Sequence, residues 1–321
     1  MRFVRRENAF LKSSGVVWTP FVYTTTTMPF FRRSLDPRRS ALRPATPADL
    51  VAITRLLRES AHRFAGYTAG ELGPLLAGAP AVVLDAGDAL WGAAVAGWPS
   101  GPACWLRLLA LADDLPVAAG LERLLPPLED ALRARGVARL YYAGDAAADA
   151  WLVPALGARG FRWDTEVVVY EKLTFDTPAE GNPAARVRRA MPVDLPAVLA
   201  IDAAAFAPEW VKDEGILGPA LASAPYFVVA ELAGEPAGYA FATRHVQGEV
   251  VHLVRIATHP AVRGQGIGVR LLADVVAFAR RAGAGRITLN TQIDNATAQR
   301  LYTWFGFRRT GERQPVLRRE L

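Results

Sequence analysis

Apolar residues recur at helical spacing over residues 269–282. There Val269, Leu271, Leu272, Val275, Val276 and Ala279 share one face, and Gly283 supplies a stop. Ahead of this stretch the pattern shortens. "YFVVAEL" (226–232), "AGYAFATRHV" (237–246) and "VVHLVRIAT" (250–258) predict three strands. The first two are joined through residues 233–236 with Gly234 at the turn, and Pro260 ends the third. Pro192 fits the first turn of a helix running to about Ala204. After the long helix, "RITLNT" predicts a strand, "ATAQRLYTWF" a short helix, and "FRRT" with "PVLRREL" a closing strand pair. The class is α/β, with strands and helices alternating around one sheet.

The same pattern occurs twice. "LRPATPADL" (42–50) returns as "VRRAMPVDL" (187–195), sharing Arg43/Arg188, Pro47/Pro192, Asp49/Asp194 and Leu50/Leu195. Gly160-Phe161 returns as Gly306-Phe307 at nearly the same spacing. Two matches in the same order indicate a tandem repeat. Residues 174–185, "TFDTPAEGNPAA", have the composition of a linker. The expected organisation is a tail at 1–40, a first domain at 41–173 and a second at 186–321. Each domain is expected to be a largely antiparallel mixed sheet flanked by helices.

Charge changes this picture little. The net charge of +6 suggests a nucleic-acid partner until it is located. Residues 1–40 hold eight basic residues and two acidic ones, which leaves the remainder formally neutral. Nucleic acid is therefore not an expected partner. The tail has no helical or strand period and reads as disordered, and Met28 is a second candidate start. No run of eighteen apolar residues occurs, so no membrane span is expected. A single cysteine, Cys104, gives no disulfide framework and no cysteine-based metal site, which fits a reducing cytoplasm.

Candidate chemistry concentrates in "HPAVRGQGIGVRLL" (259–272), where three glycines precede the long helix. The first amides of a helix lack intrahelical acceptors and sit at the positive end of its dipole. Glycines let those amides approach an anion, so the bare backbone suits a phosphate. The spacing fails the dinucleotide fingerprint, and Val269-Arg270 replaces the end of a Walker loop.

Arg263, Gly264, Gln265, Gly266, Ile267 and Gly268, followed by "DNATAQRLYTWFGF" (294–307), resemble the paired motifs of the GCN5-related N-acetyltransferase family. The resemblance covers residues 186–321 and, more faintly, 41–173. Its paired layout is similar to the family's tandem form, the mycothiol synthase type. It implies two GNAT-like domains and acetyl-CoA as co-substrate. The amides of 264–268 would hold the pyrophosphate, the backbone of Ile256 and Thr258 would pair with the pantetheine arm, and Asn295 would support that arm. Tyr302 would be the general acid that protonates the leaving thiolate. The family's glutamate position on the third strand is Val250 here, a departure. Two residues on, His252 matches a histidine of arylalkylamine relatives, and an imidazole of pKa ~6.5 suits a base near neutrality. Glu249 is the fallback, and Glu209, Asp213 and Glu214 are more distant candidates.

The implied activity is N-acetylation of a primary amine by direct attack on the thioester, without a metal. The acceptor would be a small molecule or a protein amino terminus. A non-catalytic acyl-CoA-binding regulatory protein is the alternative. Phe206, Trp210 and Leu221 are expected to line the acceptor pocket. At a spacing of 146 the first half places Val117, Glu122, Asp149 and Leu156 at the positions of Arg263, Gly268, Asn295 and Tyr302, keeping only Gly120 for Gly266. That half is expected to keep the fold and to have lost the chemistry.

Overall fold

The computed structural model describes residues 34–321 apart from Thr68, Ala69 and Asp145. The tail up to Arg33, with its second candidate start at Met28, lies outside the described residues. Residues 34–40, assigned to that tail on composition, are ordered instead. Leu35 donates its N–H to the Asp114 carbonyl at 2.8 Å and packs on the first core, while Asp36 caps a 3₁₀ turn at Pro37–Arg39.

The first half runs β1 (Ala41–Pro44), α1 (Leu50–Glu59), β2 (His62–Ala65), α2 (Leu72–Gly78), β3 (Ala81–Asp85), β4 (Leu90–Ala96), β5 (Ala103–Leu111), α3 (Val117–Arg133), β6 (Arg139–Ala143), α4 (Asp149–Gly157) and β7 (Arg162–Lys172). The second runs β8 (Arg186–Arg189), α5 (Leu195–Ala205), α6 (Glu214–Ser223), β9 (Tyr226–Leu232), β10 (Glu235–His245), β11 (Val250–Thr258), α7 (Ile267–Arg281), β12 (Arg286–Gln292), α8 (Ala296–Trp304) and β13 (Arg308–Glu320). The two successions differ by one element, β2. The repeated sequence motif has a structural reason. Arg43 forks onto Asp49 at 2.7 and 2.9 Å, and Arg188 forks onto Asp194 at 2.7 and 2.8 Å. Each pair ties the first strand of its half to the start of the first helix, with the bidentate geometry that arginine gives a carboxylate.

The thirteen strands among the described residues join one sheet in the order β1-β3-β4-β5-β6-β13-β7-β12-β11-β10-β9-β8, with β2 added to β5. Among the described residues only β5–β6 and β11–β12 pair in parallel. The halves exchange their last strands: β7 lies between β13 and β12, and β13 lies between β6 and β7. The expected closing pair "FRRT" and "PVLRREL" is therefore a single strand, β13, which shifts register against β7 between Arg309 and Arg313. Its partners come from the other half.

α7 buries Leu271, Leu272, Val275, Val276 and Ala279 against one face of the second half, together with Tyr302, Phe305 and Phe307 from α8 and its C-terminal turn. The opposite face carries α5 and α6 over Val229, Tyr239 and Phe241. No helix among the described residues is long and apolar enough to cross a membrane.

Candidate active site

Strands β11 and β12 pair from Val250–Arg286 to Leu253–Leu289 and then part. The gap opens where β11 carries a bulge, since the register against β10 shifts between Phe241 and Ala242. Beyond the bulge, His259 donates its N–H to the Ala237 carbonyl at 2.9 Å. Antiparallel alternation then turns the backbones of Ala257 and Arg255 toward β10, and those of Ile256 and Thr258 into the gap. Both outward residues are half-buried. Their N–H and C=O groups offer a strand edge with no partner strand among the described residues.

The glycine loop lies at the open end of this gap. Gly264 (φ +77°) and Gly266 (φ +75°) adopt the left-handed conformation that glycine takes at little cost, and Gly266 is the N-cap of α7. Among the described residues, the amides of 264–269 have no acceptor. Ile267 is buried and anchors the helix, whereas Arg263 and Gln265 are exposed. Arg263 reaches the Ala205 carbonyl at 3.3 Å. Gly268 opens toward the gap: a Cβ there would sit 3.6 Å from Thr258 Oγ1 and 3.8 Å from Leu301 Cδ2, which is ordinary contact.

Sequence reasoning missed what holds this loop. Asn182, in the linker, donates Nδ2–H to the Gln265 carbonyl at 2.8 Å and its backbone N–H to the Gly266 carbonyl at 3.3 Å. Gly181 packs so closely that a Cβ would meet the backbone nitrogen of Arg270.

Tyr302 is buried on α8, its ring 6.1 Å from Tyr170 and 6.0 Å from Phe307, and its hydroxyl makes no hydrogen bond among the described residues. Burial pushes its phenol up to about 12, so it stays protonated at neutral pH. Asn295 caps α8, its Oδ1 accepting from the Ala298 N–H at 3.2 Å.

His252 faces the other side of the sheet, away from α7. Its Nδ1 is 2.9 Å from Thr288 Oγ1, and its ring meets that of His245 edge-on at 6.3 Å. Burial first, and the neighbouring His245 second, lower its pKa to about 4. The imidazole is neutral at pH 7. It lines a cavity of about 430 Å³ beside the apex of the gap, with Thr288, Asn290, Glu171, Glu312 and Gln314. Glu171 comes from β7, so the first half completes this cavity.

The other proposed bases are placed elsewhere. Glu249 lies on an exposed turn and takes the Gly285 and Arg286 amides on its carbonyl. Asp213 caps α6, Glu214 is exposed in the first turn of that helix, and the Glu209 carbonyl accepts from Trp105 Nε1 at 2.7 Å. Of the three expected pocket residues, Leu221, on α6, is half-buried against the core beneath that helix. Phe206 lies 3.3 Å beneath the Arg255 guanidinium, and Trp210 packs against Trp105 of the first half, the rings tilted by 55° with centroids 5.0 Å apart. No group of His, Cys, Asp and Glu among the described residues could hold a metal ion.

In the first half the corresponding gap is filled. Strands β5 and β6 part after Trp105 and Tyr141, and β2 pairs with the freed edge: Phe64 lies opposite Leu109 and His62 opposite Leu111. Counted from the matching bulge, Leu109 and Leu111 are the counterparts of Ile256 and Thr258. Gly66 extends the pairing, its N–H donating to the Arg107 carbonyl at 2.8 Å. The loop before α3 is also shorter, with five residues after β5 against eight after β11. Fixed spacing therefore misplaced the helix: Glu122 lies more than a turn inside α3. Gly120 is no remnant of an anion seat either, since a Cβ there would strike Leu111 Cδ2 at 2.7 Å.

Residues 195–307 match the family model described as the acetyltransferase (GNAT) family. A Bacillus subtilis protein, provisionally named as an alanine N-acetyltransferase of ribosomal protein bS18, is 31% identical over 132 residues, covering 40% of this chain and 85% of its own length. An uncharacterized Mycobacterium leprae protein is 42% identical over 89 residues, 27% of this chain, and the match spans only 24% of that protein. Among solved structures, a tandem GNAT protein from the clavulanic acid biosynthesis pathway, determined without AcCoA, superposes with a TM-score of 0.58 at 15% identity, over 87% of this chain and 98% of that one. A GCN5-related N-acetyltransferase from Sphaerobacter thermophilus gives 0.55 at 17% identity, over 89% and 97%. At such identities the solved structures show a shared fold spanning both halves.

Proposed function

The chain belongs to the GNAT family of acetyltransferases, and from that premise we propose that it transfers the acetyl group of acetyl-CoA to a primary amine, with the chemistry confined to its second half. The observation that carries the reading is the coincidence, at one end of one gap, of a free strand edge at Ile256 and Thr258 with the unpaired amides of 264–269. The first suits an amide-bearing pantetheine arm, by the logic of strand addition. The second suits a diphosphate. The first half lacks the free edge, because β2 occupies it, and its loop before α3 is three residues shorter.

On this reading the acceptor nitrogen attacks the thioester carbonyl carbon and the C–S bond breaks. His252 takes the amine proton at Nε2, and Tyr302 donates its phenolic proton to the departing sulfur. An imidazole of low basicity can serve here, because the nitrogen becomes far more acidic as its bond to carbon forms. The acceptor is a small amine or a protein amino terminus, entering over the cavity at His252.

The test is thiol release from acetyl-CoA against a panel of primary amines. Tyr302→Phe should lower kcat about 100-fold with little change in the KM for acetyl-CoA. His252→Gln should lower kcat to a similar degree and remove the acid limb of its pH profile. The sign follows from the lowered pKa: His252 is an available base above about 4 and is lost as the pH falls through that value. Acetyl-CoA binding without thiol release from any amine would instead identify a sensor.

A further inference from the structure

We propose that Thr288 and Glu171 position His252 as the base, so that the first half contributes to the chemistry through its exchanged strand. The inference rests on the reading of His252 as the base. His252 stands opposite Thr288 on β12, and Thr288 stands opposite Glu171 on β7. The three therefore form one row across three adjacent strands, on one face of the sheet. All three line the same cavity.

The tautomer makes this row matter. A neutral imidazole carries one ring proton, and Nε2 accepts only if that proton is on Nδ1. Nδ1–H then donates to Thr288 Oγ1, 2.9 Å away. The threonine hydroxyl must in turn send its own hydrogen elsewhere, and it has no other partner among the described residues. Its neighbour in the row is the Glu171 carboxylate, which makes no ion pair among the described residues although Arg308 stands opposite it in register. In the proposed arrangement the Glu171 side chain turns to accept from Thr288 O–H, a bond not formed in the structure, and Thr288 Oγ1 accepts from His252 Nδ1–H, which leaves Nε2 as the open site. Turned so, the carboxylate would also stabilise the imidazolium formed when Nε2 takes the acceptor's proton. The logic is that of a base oriented by a third group, and no proton moves beyond Nε2 in the step.

Other charged or titratable groups face this histidine. His245 on β10 is held by Thr243 Oγ1 at 2.8 Å, while Arg286 on β12 and Glu312 on β13 line the cavity. Any of them can move the acid limb. The test therefore uses substitutions that leave them untouched.

Thr288→Val removes the hydroxyl at constant shape, Thr288→Ser restores it, and Glu171→Gln removes the charge. Thr288→Val and Glu171→Gln should each lower kcat at least about tenfold and displace the acid limb to lower pH, with the KM for acetyl-CoA unchanged. Thr288→Ser should behave as the parent. The double variant should be little worse than the poorer single, as for groups that act as a unit. Parental kcat and an unmoved acid limb in both Thr288→Val and Glu171→Gln would overturn the proposal. An unmoved limb in His252→Gln would instead strike the base assignment itself, so the two failures are distinguishable.

Discussion

Asp202→Ala is expected to destabilise the protein by about 3–5 kcal/mol, the usual cost of removing one partner from a buried ion pair. Asp202 is fully buried on α5. Its carboxylate accepts from Arg255 Nε at 2.7 Å, Arg255 Nη2 at 2.8 Å and the Lys212 N–H at 2.7 Å, and from the Tyr239 hydroxyl. Alanine leaves the Arg255 guanidinium buried without a counter-charge. Arg255 also donates to the Trp210 carbonyl at 2.6 Å, and Trp210 rests on Trp105 of the first half. The loss should therefore loosen residues 206–213, which follow α5 in the chain as β2 follows α1. Chemical denaturation checks this: the midpoint should fall at an unchanged denaturant slope, and Asp202→Asn should lose less because it keeps part of the hydrogen bonding.

Gly268→Val is expected to weaken acetyl-CoA binding at least about 100-fold, some 2.7 kcal/mol, while leaving the fold nearly as stable as the parent. The separation of the two effects comes from geometry. Gly268 has ordinary backbone angles and room for a Cβ, and that room faces the gap between Thr258 and Leu301. Gly181 and Gly266 are poorer probes. Both need positive φ, and a side chain at either meets backbone atoms of Arg270 or Asn182, so loss of binding there would be mixed with loss of the loop. Thermal unfolding and a binding titration on the same Gly268→Val sample distinguish occupancy of the gap from damage to the chain.

Much of the second half was legible in its sequence. The α7 stripe, the three strands before it and the glycine loop lie where period and turn chemistry put them, because each is a local property. The strand exchange was not legible. A closing pair of alternating segments has the same pattern whether it pairs within its own half or with the other. Glu171 was missed for that reason, since nothing local links it to Thr288 over a hundred residues away. The reason the first half differs was also hidden. Counting lost glycines at fixed spacing treated Gly120 and Glu122 as remnants of a seat that the shorter loop never builds. The deciding element, the four residues of β2, reads in sequence as an ordinary connection between two helices. Asn295 illustrates a further limit: its side chain visibly caps α8, and its position in the motif says nothing of that task.

The most direct measurement is a calorimetric titration of the full chain with acetyl-CoA. The account predicts one equivalent bound per chain, and loss of that heat in Gly268→Val with the unfolding temperature held. Two equivalents, no binding by the parent, or undiminished binding by Gly268→Val would contradict it.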